Sequence, residues 1–347
     1  MERLSGLDSA FLSFETPAMH LHVAMAAVLD TSTMPEPYEF ESFKRFVFGR
    51  LLHVPAVRRR AVSVPFHLNH PIWVEDPDLD VDYHIRRHAL PSPGGQRELA
   101  ELTGAIVGVP LDRARPLWEV HLVEGLAEPD RIAVIGKIHH CAVDGVSGAE
   151  LFVHLFDLTP EVPEVAPAPE VTPERIPSDA EMVGHALLSQ ARRTVGLPAL
   201  VGRTARTLGH LVQRHRDPGT TVGAVPLTAP RTPWNAAITP HRRVAFAEVA
   251  LDDVKTVKDA FGVKVNDVVL ALVSSAIRRY LADRDALPDA SLVALCPVSV
   301  RTDDEQGRHD NRVSAMFVHL RTDVDDPRQL VEGIATSTRG AKEDHHA

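Results

Sequence analysis

The stretch Arg131-Ile-Ala-Val-Ile-Gly-Lys-Ile138 is short, apolar and rich in β-branched residues, and it runs directly into His139-His-Cys-Ala-Val-Asp-Gly145. The first part predicts a buried β-strand over 131–140, and the Asp-Gly pair predicts a sharp turn after it. We therefore expect two histidines at the point where a strand ends, within an α/β domain built around that strand. Such a place is favourable for a catalytic base.

The two histidines belong to the pattern His-His-x-x-x-Asp-Gly. Adjacent residues on a strand point to opposite faces, so His139 and His140 cannot both reach one substrate atom or one metal ion. We expect one histidine to act and the other to support it, because a neutral imidazole can take a proton from a hydroxyl and pass it on. Asp144 is expected to hold the turn, and Gly145 to permit its tight backbone. The candidate arginine partners of Asp144 are Arg113, Arg115 and Arg301.

The overall composition limits the class of protein. The chain has 347 residues, of which 44% are hydrophobic, and its formal net charge is −10. This length is enough for two cores of ordinary size, and the acidic balance argues against nucleic acid as a partner. The two cysteines do not indicate a disulfide framework, and the 19 histidines form no recognisable metal-ligand set. With no secretory leader and no membrane-spanning apolar run, we expect a cytoplasmic protein whose membrane contact is peripheral.

Changes in composition divide the chain into four segments. Residues 1–159 alternate strand-like and helical patterns and are predicted to form a first domain. Prolines recur among glutamates and alanines over 160–178, which predicts an extended linker. Residues 179–228 are predicted to be a basic helical connector, which either lies on an anionic membrane surface or packs its arginines on a neighbouring domain. Residues 229–347 resume the α/β pattern and are predicted to form a second domain.

The second domain contains a predicted helix with a polar pair at its start. Its apolar residues from Val269 to Tyr280 follow a 3.6-residue period, and Asn266 or Asp267 is placed to cap it. The alternation over Arg243–Leu251 predicts a strand. The other helices and strands predicted from periodicity span 39–52, 95–107, 292–300, 312–320 and 327–343.

The histidine pattern and four further blocks resemble one enzyme family. His-His-x-x-x-Asp-Gly is similar to the motif of the CoA-dependent acyltransferase superfamily, which includes chloramphenicol acetyltransferase and the condensation domains of peptide synthetases. Over nearly the whole chain, the further blocks resemble the bacterial wax ester synthase/diacylglycerol acyltransferase family. These blocks are Leu4-Ser-Gly-Leu-Asp-Ser-Ala-Phe-Leu12, Pro110-Leu-Asp-Arg-Ala-Arg-Pro-Leu-Trp-Glu119, Pro230-Arg-Thr-Pro-Trp-Asn235 and Val265-Asn-Asp-Val268.

The resemblance implies a fold of the α/β (α+β) class with two chloramphenicol acetyltransferase-like sandwich domains and mixed sheets. It implies direct transfer from acyl-CoA, which is a substrate, to the hydroxyl of diacylglycerol or a long-chain alcohol, with no cofactor and no metal. His140 is implied as the general base. The other implied site residues are His139, Asp144 and Gly145 beside the base, and Pro116, Leu117, Trp118, Asn266 and Asp267 as substrate-binding residues. For Trp118 a structural role that shapes the channel is expected, and for Asn266 and Asp267 a capping role stays open.

Two other interpretations stay open. A condensation-type or polyketide-associated acyltransferase would share the histidine motif and take its acyl group from a carrier protein. An inactive acyltransferase-like protein would instead bind lipid or act as a scaffold. Members of the family usually continue well past the helix over 327–343, so the resemblance implies that the second domain is incomplete at Ala347. The acceptor and the acyl length are not fixed by the sequence, and the surface of the inner membrane or of lipid inclusions is a candidate location.

Overall fold

The computed structural model describes residues 2–142, 155–157, 175–189, 229–299 and 313–346. The contacts of the chain group it into two compact units. The first contains the described residues up to 189 together with Ile238–Phe246, and the second contains 229–237, 247–299 and 313–346. Much of the predicted linker and connector lies outside the described residues, as do Asp144, Gly145 and Arg301. The predicted domain boundaries and the predicted incompleteness of the second domain therefore stay predictions.

The first unit is built around a mixed sheet with helices on both of its faces. In chain order the elements are β1 (Glu2–Arg3), α1 (Gly6–Phe14), β2 (His22–Asp30), α2 (Phe40–Leu51), α3 (Pro55–Arg58), β3 (Arg59–Val62), β4 (Ile72–Glu75), α4 (Val81–His84), β5 (Ile85–Ala89), α5 (Gln96–Val107), β6 (Trp118–Glu124), β7 (Arg131–His139) and α6 (179–189). Strand β7 confirms the strand predicted over 131–140, and α2 and α5 confirm the helices predicted over 39–52 and 95–107.

Strand β7 lies inside the four-stranded sheet, whose order is β2-β7-β6-β5. It is antiparallel to β2 and β6, whereas β5 and β6 are parallel. Because side chains alternate along a strand, Val134 and Ile138 share one core cluster with α2, and Ala133 and Ile135 share another with α5. Burial on both faces explains why β7 is an almost continuous apolar run. A separate antiparallel sheet has the order β1-β4-β3.

The strand predicted over Arg243–Leu251 is wrong. Residues 241–250 have no regular secondary structure. This segment instead crosses α5 closely, since a Cβ on Gly104 would lie 2.5 Å from the carbonyl oxygen of Arg242. Phe246 packs against the core cluster that α5 shares with the sheet. Packing on a helix, rather than pairing within a sheet, therefore accounts for the alternation in the sequence.

The second unit combines helices with one antiparallel pair of strands. Its described elements are α7 (Leu251–Phe261), α8 (Val265–Ala282), β8 (Val293–Ser299), β9 (Val313–His319) and α9 (Pro327–His346). These confirm the elements predicted from 265 onward, and the two units together confirm the predicted α/β class with mixed sheets. Among the described residues, no single helix is both long enough and apolar enough to cross a membrane. Helices α7 and α8, which are bent by 105° relative to each other, meet that criterion only as a pair.

Candidate functional site

The histidine turn is held between the two strands that flank β7. Strand β7 ends at His139, and His140–Ala142 forms a short 3-10 turn. The backbone N–H of His139 donates to the carbonyl of Leu117 at 2.9 Å, and that of His140 donates to the carbonyl of Leu21 at 2.9 Å. Because Leu117 and Leu21 immediately precede β6 and β2, hydrogen bonds fix the turn from both sides.

His139 is the buried member of the pair, with 1% of its surface exposed. Its Nδ1 accepts a hydrogen bond of 3.1 Å from the backbone N–H of Cys141. Burial, with a smaller contribution from Arg113, lowers the pKa of His139 to about 4. The imidazole is therefore neutral at neutral pH, and its proton is on Nε2. That nitrogen faces Glu15, whose Oε2 lies 3.7 Å away.

His140 has a different environment. Its ring is half-buried and stacks on Phe11 of α1, with the ring centroids 4.9 Å apart and the planes at 24°. Burial lowers the pKa of His140 below its usual value. No side chain or backbone group in the described part of the chain makes a hydrogen bond to its ring nitrogens. The arrangement thus presents a neutral imidazole that can accept a proton.

An ion pair behind His139 was not predicted from the sequence. The Glu15 carboxylate accepts hydrogen bonds from Arg113 Nε at 2.7 Å and Nη2 at 2.5 Å, and the same Nη2 donates to the carbonyl of Leu12. Glu15 follows α1 directly, so the pair ties the end of α1 to the loop before β6 and to His139. Arg113 is one of the predicted partners of Asp144, which lies outside the described residues; among the described residues Arg113 pairs with Glu15. Such a pairing across 98 residues leaves no local signal in the sequence.

We expect Glu15→Leu to lower the free energy of unfolding by about 1–3 kcal/mol, because it leaves the Arg113 guanidinium without the largely buried carboxylate to which it donates. Glu15→Gln retains an acceptor and should cost less. Urea denaturation measures both. A matched control is Glu101→Leu, which breaks the fully exposed Arg97–Glu101 pair of α5 and should cost clearly less than Glu15→Leu. Equal losses for Glu15→Leu and Glu101→Leu would contradict the assignment.

The segment Pro116-Leu117-Trp118 is buried and supports the turn. Trp118 is 2% exposed, and its Nε1–H donates to the carbonyl of Val57 at 2.9 Å. The indole also stacks on His84 at 4.4 Å, and its own carbonyl accepts from His84 Nδ1 at 2.7 Å. Leu117 packs in the same cluster as Cys141 of the turn. These contacts give the segment a structural role next to the histidines.

Asn266 and Asp267 lie at the start of α8 in the second unit. The carboxylate of Asp267 accepts from the backbone N–H of Lys264 at 2.9 Å and from the hydroxyl of Thr338 at 2.7 Å. Asp267 is 5% exposed, whereas Asn266 is exposed. The helix begins at Val265, so Asp267 caps it from the first turn rather than from the preceding position. The capping role left open by the sequence is therefore filled by Asp267.

A buried polar cluster that the sequence did not predict lies on the α5 face of the sheet. Lys137 Nζ is 2.8 Å from Glu119 Oε2 and donates to the carbonyls of Ile106 and Val109 at the end of α5. Burial alone would raise the pKa of Glu119, but hydrogen bonds from His121 and Lys137 lower it to about 2. Within the described ranges, no group of three or more His, Cys, Asp or Glu side chains is arranged to hold a metal ion.

We expect the free energy of unfolding to fall as the pH is lowered from about 6.5 to about 4. Burial lowers the pKa of both His22 and His139 from 6.5 to about 4. In this window the unfolded chain binds protons at these sites and the folded chain does not, so acid favours unfolding. Urea denaturation between pH 7 and pH 4 measures the slope. The slope of the free energy of unfolding against pH should be smaller in His22→Gln and unchanged in His241→Gln, because His241 is exposed. Equal slopes in the unchanged protein and both variants would contradict the prediction.

The sequence matches proteins of one family over most of its length. Residues 4–269 match the model of the wax ester synthase/diacylglycerol acyltransferase catalytic domain. A Mycobacterium tuberculosis protein named as a diacylglycerol O-acyltransferase is 42% identical over 100% of this chain and 68% of its own length. Another protein of that species with the same kind of name is 37% identical over 99% of this chain and 72% of its own length.

Solved structures with a similar fold agree with these matches. The wax ester synthase/diacylglycerol acyltransferase from Marinobacter aquaeolei VT8 aligns with a TM-score of 0.67 and 28% identity, over 98% of this chain and 72% of that one. The first condensation domain of the calcium-dependent antibiotic synthetase aligns with a TM-score of 0.55 and 14% identity, over 99% of this chain and 75% of that one. The second similarity concerns the fold alone, and it agrees with the fold predicted from the histidine motif.

Proposed function

The chain belongs to the wax ester synthase/diacylglycerol acyltransferase family and is an acyltransferase, and on this premise we propose that it esterifies a lipid hydroxyl with the acyl group of acyl-CoA. The observation that supports His140 as the general base of this reaction is the environment of its imidazole ring. It is half-buried, held by Phe11 and not hydrogen-bonded at its ring nitrogens by any described residue. His139 is buried and supports the turn.

In the proposed reaction a ring nitrogen of His140 takes the proton of the acceptor hydroxyl as its oxygen attacks the thioester carbonyl. The tetrahedral intermediate then collapses, the carbon–sulfur bond breaks, and the imidazolium returns the proton to the CoA thiolate. Ester and free CoA are the products, so the reaction needs no cofactor and no covalent acyl-enzyme. The lowered pKa of His140 keeps the imidazole in its basic form at neutral pH.

The other proposed site residues have supporting roles. Asp144 and Gly145 are proposed to shape the turn, and Trp118 to form a fixed wall of the substrate channel. Asn266 is exposed at the N-terminus of α8, where unpaired N–H groups favour a polar or anionic group such as part of the acyl donor. For Asp267, the contacts with Lys264 and Thr338 support a helix-capping role first.

Diacylglycerol is the first proposed acceptor, and a long-chain alcohol is the second. The experiment incubates the protein with hexadecanoyl-CoA and either diacylglycerol or hexadecanol, follows free thiol, and separates the products by thin-layer chromatography. We expect CoA release together with triacylglycerol or wax ester. If CoA release with both acceptors stays at the His140→Ala background, the proposal fails. Activity only with an acyl group on a carrier protein would support a condensation-type donor instead.

Because both acceptors partition into lipid, we also propose peripheral contact with a membrane or lipid-inclusion surface. Vesicle flotation with and without anionic phospholipid tests this. Recovery of the protein with the vesicles supports the contact, and recovery only in the aqueous fraction overturns it.

A further inference from the structure

An apolar cavity lies inside the first unit, on the α2 side of the sheet. Its volume is about 80 Å³, and its lining includes Val23, Leu51, Val57, Trp118, Gly136 and Leu155. Native cores contain few voids larger than a water molecule. Apolar cavities stay dry and bind apolar molecules, and one of about 150 Å³ takes benzene. By proportion, the space here suits about three carbon atoms of a hydrocarbon chain.

Gly136 keeps this cavity open. It lies in the middle of β7 on the same face as Val134 and Ile138, both of which belong to the core cluster on the α2 side. A Cβ added to Gly136 would meet no atom within 4 Å. Glycine weakens a strand interior and contributes no side-chain packing. A glycine within a strand therefore often marks a site where a ligand or another backbone segment approaches closely. Gly136 is therefore distinguished by the empty space beside it and not by an unusual backbone conformation.

The cavity adjoins the histidine turn. Ile138 lines it two residues before His140, and Ile138 is the register partner of both Trp118 and Val23, which line it as well. Ala142 of the turn packs against the core cluster that surrounds the cavity. Trp118 cannot easily move to fill the space, because its indole is fixed by the carbonyl of Val57 and by His84.

We propose that the Gly136 cavity is a hydrocarbon-binding site, which receives part of the aliphatic chain of a substrate, and that Gly136 sets how much chain fits. The inference rests on the proposed function, since it concerns a substrate of His140. Two sources share this chemistry, namely the acyl chain of the donor and the alkyl chain of the acceptor. The largely apolar lining and the open space beside Gly136 are what select a hydrocarbon.

A graded series tests the proposal: Gly136→Ala, Gly136→Val and Gly136→Leu. In one arm the acyl-CoA is varied from acetyl to hexadecanoyl with a fixed acceptor, and in the other the alcohol is varied with a fixed donor. We expect kcat/KM for the longest substrate to fall by about tenfold or more in Gly136→Leu, mainly through KM, since one methylene in an apolar pocket is worth about 10- to 200-fold. The value for the shortest substrate should change by less than about threefold. The arm that responds identifies the occupant.

The matched control is Gly49→Leu in α2, where a Cβ also meets no atom within 4 Å and which does not line the cavity. It should leave chain-length preference unchanged. Thermal unfolding of each variant separates loss of fold from loss of space; filling a dry cavity should keep or raise the Tm. An active, folded series with unchanged preference in both arms overturns the proposal.

A second measurement does not depend on activity. 1-Propanol, whose chain matches the three carbon atoms that fit the cavity, should raise the Tm of the unchanged protein more than that of Gly136→Leu, because a ligand that binds only the folded state stabilises it. If the protein shows no transferase activity but propanol discriminates the two, the proposed function fails while the cavity site stands. Equal shifts in the two proteins overturn the cavity site.

Discussion

Replacing His140 with alanine is expected to lower the rate of acyl transfer by about 10²- to 10⁴-fold, the usual contribution of a general base. The loss should fall on kcat, because the imidazole acts on the proton of the bound hydroxyl rather than on substrate affinity. The fold should survive, since the backbone N–H of His140, which donates to Leu21, is retained. The loss of stacking on Phe11 is the main structural change.

Two measurements and one control variant test this expectation. Steady-state kinetics separate kcat from KM, and circular dichroism compares the folded states. His241→Ala is the control, because His241 is exposed, so activity should stay within about twofold. A His140→Ala protein that keeps more than a tenth of the activity would show that another group takes the proton.

Replacing Lys137 with methionine is expected to lower the free energy of unfolding by about 3–5 kcal/mol. The Lys137 and Glu119 side chains are 1% and 5% exposed, and their charged atoms lie 2.8 Å apart. Removing the lysine leaves a buried carboxylate whose remaining partners, within the described part of the chain, are His121 and the more distant Arg86. The C-terminal end of α5 also loses a donor, since Lys137 donates to the carbonyls of Ile106 and Val109.

The double variant Lys137→Met with Glu119→Leu distinguishes an unpaired charge from lost packing. If the unpaired carboxylate causes the loss, the double variant should recover most of it, because apolar replacement of a buried pair is often neutral. Lys255→Met removes one half of an exposed pair with Asp252 and should cost about 0–1 kcal/mol. Urea denaturation measures all three; a cost of less than about 1 kcal/mol for Lys137→Met would contradict the assigned role.

Much of the fold could be predicted because local periodicity reports burial. Strand β7 and helices α2, α5 and α8 each have a continuous or periodic apolar pattern, and each is where the sequence predicts it. The segment 243–251 shows the limit of that argument. Alternating residues also arise where an extended chain crosses a helix, and only the tertiary contact with Gly104 distinguishes the two cases.

The candidate site could be predicted only in part, for a similar reason. The histidine motif and Trp118 are adjacent in sequence to clear strand signals. Glu15 and Arg113 are 98 residues apart, and Lys137 and Glu119 are on neighbouring antiparallel strands, so no short pattern reveals either pair. Both ion pairs form because the tertiary fold brings separate segments of the chain together. Asp267 lies between these cases, since its capping role follows from its place at a helix start.

The close crossing of α5 by the chain near Arg242 also constrains how the protein folds during synthesis. Phe246 completes a cluster whose other members lie at or before residue 135. After residue 135, more than a hundred further residues must therefore be synthesised before Phe246 can join that cluster. At about 5–20 residues per second this takes several seconds or longer. During that interval the α5 side of the first unit is without one of its apolar contacts. The first unit is therefore expected to complete its packing only after the later chain has been made, rather than as soon as β7 has been made.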